Sequence, residues 1–397
     1  MIFSHISDTH LGLEQYGLEE REQDVYDSFN QAIDISIKDK VDFVIFAGDI
    51  FHTPNPSGKA ILQMANALKR LKQNSIESFF ILGEHDISRI RATPVSYVYH
   101  NLEFSKYVGR GEPVYHKDVM IAGFDKIRKN EITTFEEKFR KLDSLAKQHS
   151  GHKILVLHQG ITELNQFAGE LNASDLPKNF TYYAMGHLHD KIVKNFDQLG
   201  GPLAYPGSTE MTTSEGIKET EKGFFEVDIS SNEAKPTWIK LDTRPQFSSK
   251  IDFEEFDDSI TKVIEKIGTF EKKPIIEIKI HGKTTERDVV EAKVLQIIPK
   301  TLHCSWKISQ TDDGTSVLLD RPTRIDEELF KLAINTLKSE KLAGFAVNDL
   351  LPLLSTNQLE QATELVIENF EQYKAVSYTH LRAHETLRYL VCRLLLE

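Results

Sequence analysis

The residues best suited to chemistry stand at the ends of apolar runs. "HISDTH" places Asp8 and His10 two apart, and "VIFAGD" ends on Asp49. "FFILGEHD" sets Glu84, His85 and Asp86 side by side, "LVLHQG" carries His158, and "YAMGHLH" carries His187 and His189. Cys304 and Cys392 have no metal-ligand spacing, so any bound ion must be held by His, Asp and Glu. Imidazole mixed with carboxylate suits Mn, Fe or Zn, whereas Ca and Mg prefer oxygen alone. With Asp8, His10, Asp49, Glu84, His158, His187 and His189 as candidate ligands, two ions are expected rather than one. Two ions a few ångström apart can hold a phosphate, lower the pKa of a bridging water and stabilise both attacking and leaving oxygens. The chemistry implied is hydrolysis of a phosphate ester. Any one of these histidines alone reads more readily as a structural residue; their repetition at strand ends carries the inference.

Elements of two kinds must position them. Short Val/Ile/Leu/Phe runs alternate with amphipathic stretches: Val25, Phe29, Ala32, Ile33 and Ile37; Ile61, Leu62, Ala65, Leu68 and Leu71; Phe135, Phe139, Leu142 and Leu145. Near-continuous apolar strands separated by helices imply a sheet covered on its faces by helices. "LAYPGS", "GFFEVDI" and "PTWIKLD" read as added strands that close a second sheet. Ligands of open α/β sheets bind beyond the carboxyl ends of strands, so the strand-terminal residues should converge. In extended chain, the D-x-H and H-x-H pairs point to one side. Gly48, Gly83 and Gly186 precede ligand positions and permit close backbone approach. His5, mid-strand and out of phase with the ligands, reads as core.

Composition sets the frame. The chain has 397 residues, 40% hydrophobic and 27% charged, as globular chains do, and its net charge of −12 argues against a broad basic surface for nucleic acid. No apolar run is long enough for a membrane span and the first strand begins at Ile2, so a cytoplasmic chain without signal peptide or membrane contact is expected. Residues 1–242 read as one α/β domain. After the linker "TRPQFSSK", residues 249–322 read as a small separate α/β unit of strand, helix, strand, helix, strand, strand. Residues 326–375 read as helical, with Phe330, Ala333 and Leu337 on one face and a last helix opened by a Ser355/Gln358 capping box. Residues 376–397 resemble a translated sequencing adapter and are expected to be non-native.

The ordered set D-x-H, G-D, G-x-H-D, H and G-H-x-H resembles the calcineurin-like metallophosphoesterase superfamily. Within it, "HISDTHLG", "FAGDIFHTPNPS", "LHQG", "GHLH" and "YPGSTE" resemble the archaeal double-strand-break repair nucleases of the meiotic recombination eleven and SbcD family, over about residues 1–375. The resemblance implies a four-layer α/β/β/α sandwich (class α/β, α+β), a capping domain over 249–322 and a C-terminal helix pair that binds an ATPase. It also implies two manganese ions per subunit: Asp8, His10, Asp49 and His189 on one, Asp49, Glu84, His158 and His187 on the other. His85 matches the residue that protonates the leaving oxygen, and His52 a second histidine near the scissile phosphate. Glu84 departs from the pattern, which has asparagine there; it adds a negative charge among the ligands.

The implied activity is 3′ to 5′ exonuclease on duplex ends and endonuclease on single strands and hairpins. The implied partners are a second copy of the chain and an SMC-like ATPase of the Rad-fifty or SbcC type. The dimer helices would be about 57–73 and 92–103, offering Leu68, Tyr97, Val98 and Leu102. Lys126, Arg128 and Lys129 of "DKIRKN" are the local candidates for DNA contact. Competing expectations are a phosphodiesterase or phosphatase for non-DNA substrates on the same scaffold, and a scaffold weakened in catalysis.

Overall fold

The structure, a computed structural model, describes residues 1–88, 93–127, 131–165, 168–282 and 287–310, together with 333–334, 337, 339–351, 362–363 and 365–366. Four parallel strands, β1 (Ile2–Ile6), β2 (Phe43–Ala47), β3 (Glu77–Ile81) and β4 (Lys106–Tyr107), form one side of a first sheet. On the other side of β1 lie β11 (Gly223–Asp228) and β12 (Lys235–Lys240), both antiparallel to their neighbours, giving the order β12-β11-β1-β2-β3-β4. A second sheet combines β5 (Val114–His116), β6 (Val119–Phe124), β7 (Lys153–His158), β8 (Tyr182–Gly186), β9 (Ile192–Lys194) and β10 (Leu203–Tyr205) in the order β5-β6-β7-β8-β10-β9. Helices α1 (Glu19–Lys38), α2 (Gly58–Gln73), α3 (Tyr97–Asn101) and α4 (Ile132–Gln148) complete this part.

Alternation along each strand decides which layer a residue joins. In β2, Phe43, Ile45 and Ala47 meet Phe3, Phe79, Ile121, Val156 and Ala184 between the two sheets. Val44 and Phe46 turn the other way, under Phe29 and Ile33 of α1 and Met64 and Leu68 of α2. On the far side, Ala122, Leu155 and Leu157 pack against Phe139 and Leu142 of α4. Each buried Phe, Leu or Ile contributes roughly 1.5–3 kcal/mol, so three apolar layers hold four structural ones together. This is a four-layer α/β/β/α sandwich, as expected.

Two expectations are corrected. The apolar runs alone read as one sheet with helices on both faces; the central strands instead belong to two sheets, each covered by helices on one face and by its sister sheet on the other, as the α/β/β/α resemblance implied. The strands "GFFEVDI" and "PTWIKLD" extend the first sheet beside β1, and only "LAY" joins the second. Likewise Leu68 of α2 is wholly buried in the core and presents nothing to a partner; α2 exposes Leu62 instead. Val98 and Leu102, at and just beyond α3, are exposed, and Tyr97 is half-buried.

After Arg244 comes a three-stranded parallel sheet of β13 (Gln246–Asp252), β14 (Ile275–Gly282) and β15 (His303–Gln310), with α5 (Phe256–Gly268) and α6 (Arg287–Val294) in the crossovers. Phe256, Ile260, Val263 and Ile267 form the buried stripe of α5 against Ile276, Ile278 and Ile280 of β14. Arg244 ties this unit to the sandwich: Nε and Nη2 donate to Asp24 at 2.5 and 3.0 Å, while Nη1 donates to Lys273 O at 2.8 Å. The Tyr16 ring stacks on His303 with centroids 3.9 Å apart. Sandwich and third sheet lie in one compact unit, Met1–Ser316, and Val317–Glu397 form a second.

In the second unit, α7 (Glu340–Gly344) runs into a π-helical turn, Phe345–Leu350. The expected strand 316–320, Phe330, the Ser355/Gln358 capping box and the tail 376–397 lie outside the described residues. Among the described residues no helix is long and apolar enough to cross a membrane.

Candidate metal centre

The parallel strands β1, β2 and β3 of one sheet and β7 and β8 of the other end at the same edge of the sandwich, and each delivers its terminal residues there. The backbone does this under strain. Asp8, His10, Asp49 and His187 have φ of 52, 43, 49 and 97°, left-handed values that cost a side chain roughly 1–2 kcal/mol. Asp8 and His10 therefore converge through a left-handed turn and not, as expected, by alternation of extended chain. Hydrogen bonds fix the turns: His10 N–H donates to Asp49 O at 3.0 Å, His187 N–H to the Asp8 carboxylate at 3.1 Å, and His85 N–H to Asp49 Oδ1 at 2.9 Å. Gly48 has φ +87°, and a Cβ there would lie 2.5 Å from His158 Nδ1, so only glycine lets the turn and the imidazole share this space.

The side chains form two clusters joined by Asp49. In the first, His10 Nε2 and His189 Nε2 are 3.2 Å apart, with Asp8 Oδ1 3.8 Å from His189 Nε2 and Asp49 Oδ2 4.0 Å from His10 Nε2. In the second, His158 Nε2 lies 3.3 Å from Asp49 Oδ2 and 3.1 Å from Glu84 Oε2, and His187 Nδ1 lies 2.9 Å from Glu84 Oε1. Ligands bonded to an ion at about 2.1 Å stand about 3 Å from one another, the spacing seen in the second cluster and between His10 and His189. His158 Nε2 and Glu84 Oε2 are both buried and, despite facing each other, lack hydrogen-bond geometry. Those orphaned atoms fit a divalent cation in the second cluster, and the converging Asp8, His10 and His189 ligand atoms fit one in the first.

The electrostatics agree. Burial opposes ionisation of Asp49, but the charge of His158 outweighs it and holds the carboxyl below its usual range. Burial likewise opposes protonation of His158, yet Asp49 and Glu84 hold its pKa well above the ordinary imidazole value. A proton is retained there because carboxylates crowd the site; a cation in its place relieves the same repulsion. At 4 Å and an effective dielectric of 20, each pair of like charges costs about 4 kcal/mol.

Outer partners orient the rings. His158 Nδ1–H donates to Ala47 O at 2.8 Å, which leaves Nε2 turned into the site. His189 Nδ1 lies 3.0 Å from Thr212 Oγ1, whose hydroxyl donates to Glu215, and Glu215 in turn pairs with the buried Lys222. Burial opposes ionisation of Glu215, but His189 and Lys222 bring its pKa down to about 2. Thr212, Glu215 and Lys222 were not anticipated; the T-x-x-E spacing, a capping box in the structure, was the available signal.

His85 and His52 stack with ring centroids 5.3 Å apart beside His10. His85 Nδ1–H donates to His52 O at 2.8 Å, so Nε2 is its free atom. Asp86 does not hold His85, as a structural reading of that histidine would require; it accepts the backbone N–H groups of Ile50, Phe51 and Gly83. The two rings are pushed apart in acidity. Burial and the neighbouring His85 lower His52 to about 4, whereas at His85 burial is outweighed by Asp49 and its pKa is raised. His5 is a buried bridge between the sheets, held by Tyr182 and Met185 O.

Of the basic stretch, Lys126 turns inward: its ammonium lies 2.8 Å from Glu170 Oε2 and 3.4 Å from Glu84 Oε2. A residue expected on a DNA-facing surface is thus committed to the edge of the second cluster. Arg128 and Lys129 lie outside the described residues.

Known proteins supply the comparison. Residues 1–191 match the calcineurin-like phosphoesterase family. The DNA double-strand break repair protein Mre11 of Sulfurisphaera tokodaii is 33% identical over 354 residues, 86% of this chain and 89% of that one. The protein of the same name from Thermoplasma acidophilum is 33% identical over 72% of this chain and 78% of its own length. That of Saccharolobus solfataricus is 29% identical over 92% and 97%.

Proposed function

Because this chain belongs to the Mre11 family of DNA double-strand break repair nucleases, metallophosphoesterases by fold and site, we propose that it cuts DNA phosphodiesters with two manganese ions. The observation that carries the reading is the pair of donor clusters sharing Asp49, with the rings of His85 and His52 stacked beside them. Asp8, His10, Asp49 and His189 would hold one ion; Asp49, Glu84, His158 and His187 would hold the other. Bound, the ions supply Lewis acidity toward the phosphate and lower the pKa of a water.

The chain's own residues do the rest. Asp49 outweighs burial and raises the pKa of His85 above the ordinary imidazole value, and His85 would give the proton on Nε2 to the departing 3′ oxygen, the step that lets a poor leaving group go. His52, neutral, hydrogen-bonds the phosphate. Pairs of titratable groups with separated pKa values mark acid and partner roles of this kind. The buried aspartates and the glycine turns keep the donors in place before substrate arrives.

The substrate would be duplex ends for 3′ to 5′ exonuclease action, and single strands and hairpins for endonuclease action. The chain would act in the cytoplasm, at the nucleoid, as a homodimer. Leu62, Val98 and Leu102 are the exposed apolar side chains available for that contact, at 62, 41 and 58% exposure. Residues 326–375 would dock an SMC-like ATPase, and residues 249–322 would cap the DNA. The test compares manganese-dependent cleavage of plasmid and hairpin DNA with cleavage of an aryl phosphodiester. Turnover of both DNA substrates is expected; cleavage of the small ester alone would overturn the assignment to DNA.

A further inference from the structure

Lys126 sits where a cation is needed. Its side chain is only 10% exposed, and its ammonium lies 3.4 Å from Glu84 Oε2 and 3.3 Å from both ring nitrogens of His187. Glu84 and His187 are two of the three members of a single donor group. Two further bonds hold the lysine there: its N–H donates to Leu82 O at 2.9 Å, and its ammonium donates to Glu170 Oε2 at 2.8 Å. Glu170 is anchored in turn by Gly160 N–H at 3.3 Å. An ammonium is a fixed point charge with donors and no acceptor, so it can satisfy Glu84 but cannot share it with a divalent ion without repulsion.

We propose that Lys126 makes the Glu84 subsite conditional: its ammonium and a divalent cation compete for Glu84 and His187, so the His10–His189 subsite fills first. The second ion enters only as Lys126 withdraws from Glu84 onto Glu170. The proposal rests on the two-ion reading above. It also accounts for the departure at Glu84. The additional carboxylate among Asp8, Asp49 and Glu84 is balanced by one lysine, so the extra negative charge does not simply tighten metal binding. Lys126 is a positioning residue here; it touches ligands, not the reacting atoms.

Calorimetric titration of the metal-free full chain with manganese chloride tests this. The wild type should bind one ion tightly and a second at least tenfold more weakly, the weaker step being the one lost in His187→Ala. Lys126→Met should bring the second affinity to within about threefold of the first, because repulsion of a divalent ion by an ammonium a few ångström away exceeds a factor of ten. Glu170→Gln should do the opposite and weaken the second step further, since Lys126 then has only Glu84 to pair with; this variant keeps the test decisive should Lys126→Met fold poorly. An unchanged gap in Lys126→Met, or a tighter second step in Glu170→Gln, would overturn the competition. Absence of any manganese binding in the wild type would overturn the two-ion reading itself.

Discussion

Glu84 joins the second donor cluster to the lysine beside it. It stands where the family pattern has asparagine, and in the structure it faces His158, His187 and Lys126 at once. Glu84→Asn removes the carboxylate but leaves the ammonium, so the second manganese should bind at least tenfold more weakly. The double change with Lys126→Met should recover most of that loss, because the two charges act as a pair. Calorimetry on the four proteins of this cycle checks it. Equal affinity in Glu84→Asn and wild type would mean that the side chain does not reach the ion. That Asp8, His10, Asp49, Glu84, His158, His187 and His189 would meet was legible from their places at strand ends. The inward turn of Lys126 was not: a short basic run reads as a solvated loop, and the bonds from its backbone to Leu82 O and from its ammonium to Glu170 draw it in.

At the scale of elements, the site is a property of strand-to-turn junctions. Gly48 shows what they require: φ is +87° and the space a Cβ would take belongs to His158. Gly48→Ala should lower the melting temperature by several degrees, the left-handed penalty alone being about 1–2 kcal/mol. It should also cost one of the two manganese ions by displacing His158. Gly58→Ala is the control, since nothing lies within 4 Å of its added Cβ at the start of α2. Its melting temperature and stoichiometry should hold or improve. Thermal melts and metal titrations read both; equal behaviour of the two variants would contradict the role given to Gly48. Strand identities were readable from apolar runs, but which strands join which of the two sheets was not. A strand buried on both faces has the same composition whether helix or sheet covers it, as β2 illustrates.

At the scale of the whole molecule, two sheets from different parts of the chain bring their carboxyl ends to one edge. The third sheet is fastened to the sandwich through Arg244–Asp24 and Tyr16–His303. Asp24 is itself bound by the fully buried Arg21, whose other carboxylate partner is Glu210 in the loop after β10. The fastening therefore reaches back to the segment that leads into Thr212 and the support of His189. The sequence marked a separate unit after the linker because composition shifts there. It gave no sign of Arg244–Asp24 or Tyr16–His303, which pair residues more than 200 positions apart.

The central claim is that this assembly presents a proton donor, His85, beside two cations on DNA. Its most direct test is the manganese-dependent rate of cleavage of an end-labelled duplex by wild type and His85→Ala, with manganese binding measured on the same preparations. A fall of roughly 10²–10⁴-fold in rate, with both ions still bound, is expected. A His85→Ala protein that cuts at the wild-type rate would contradict it.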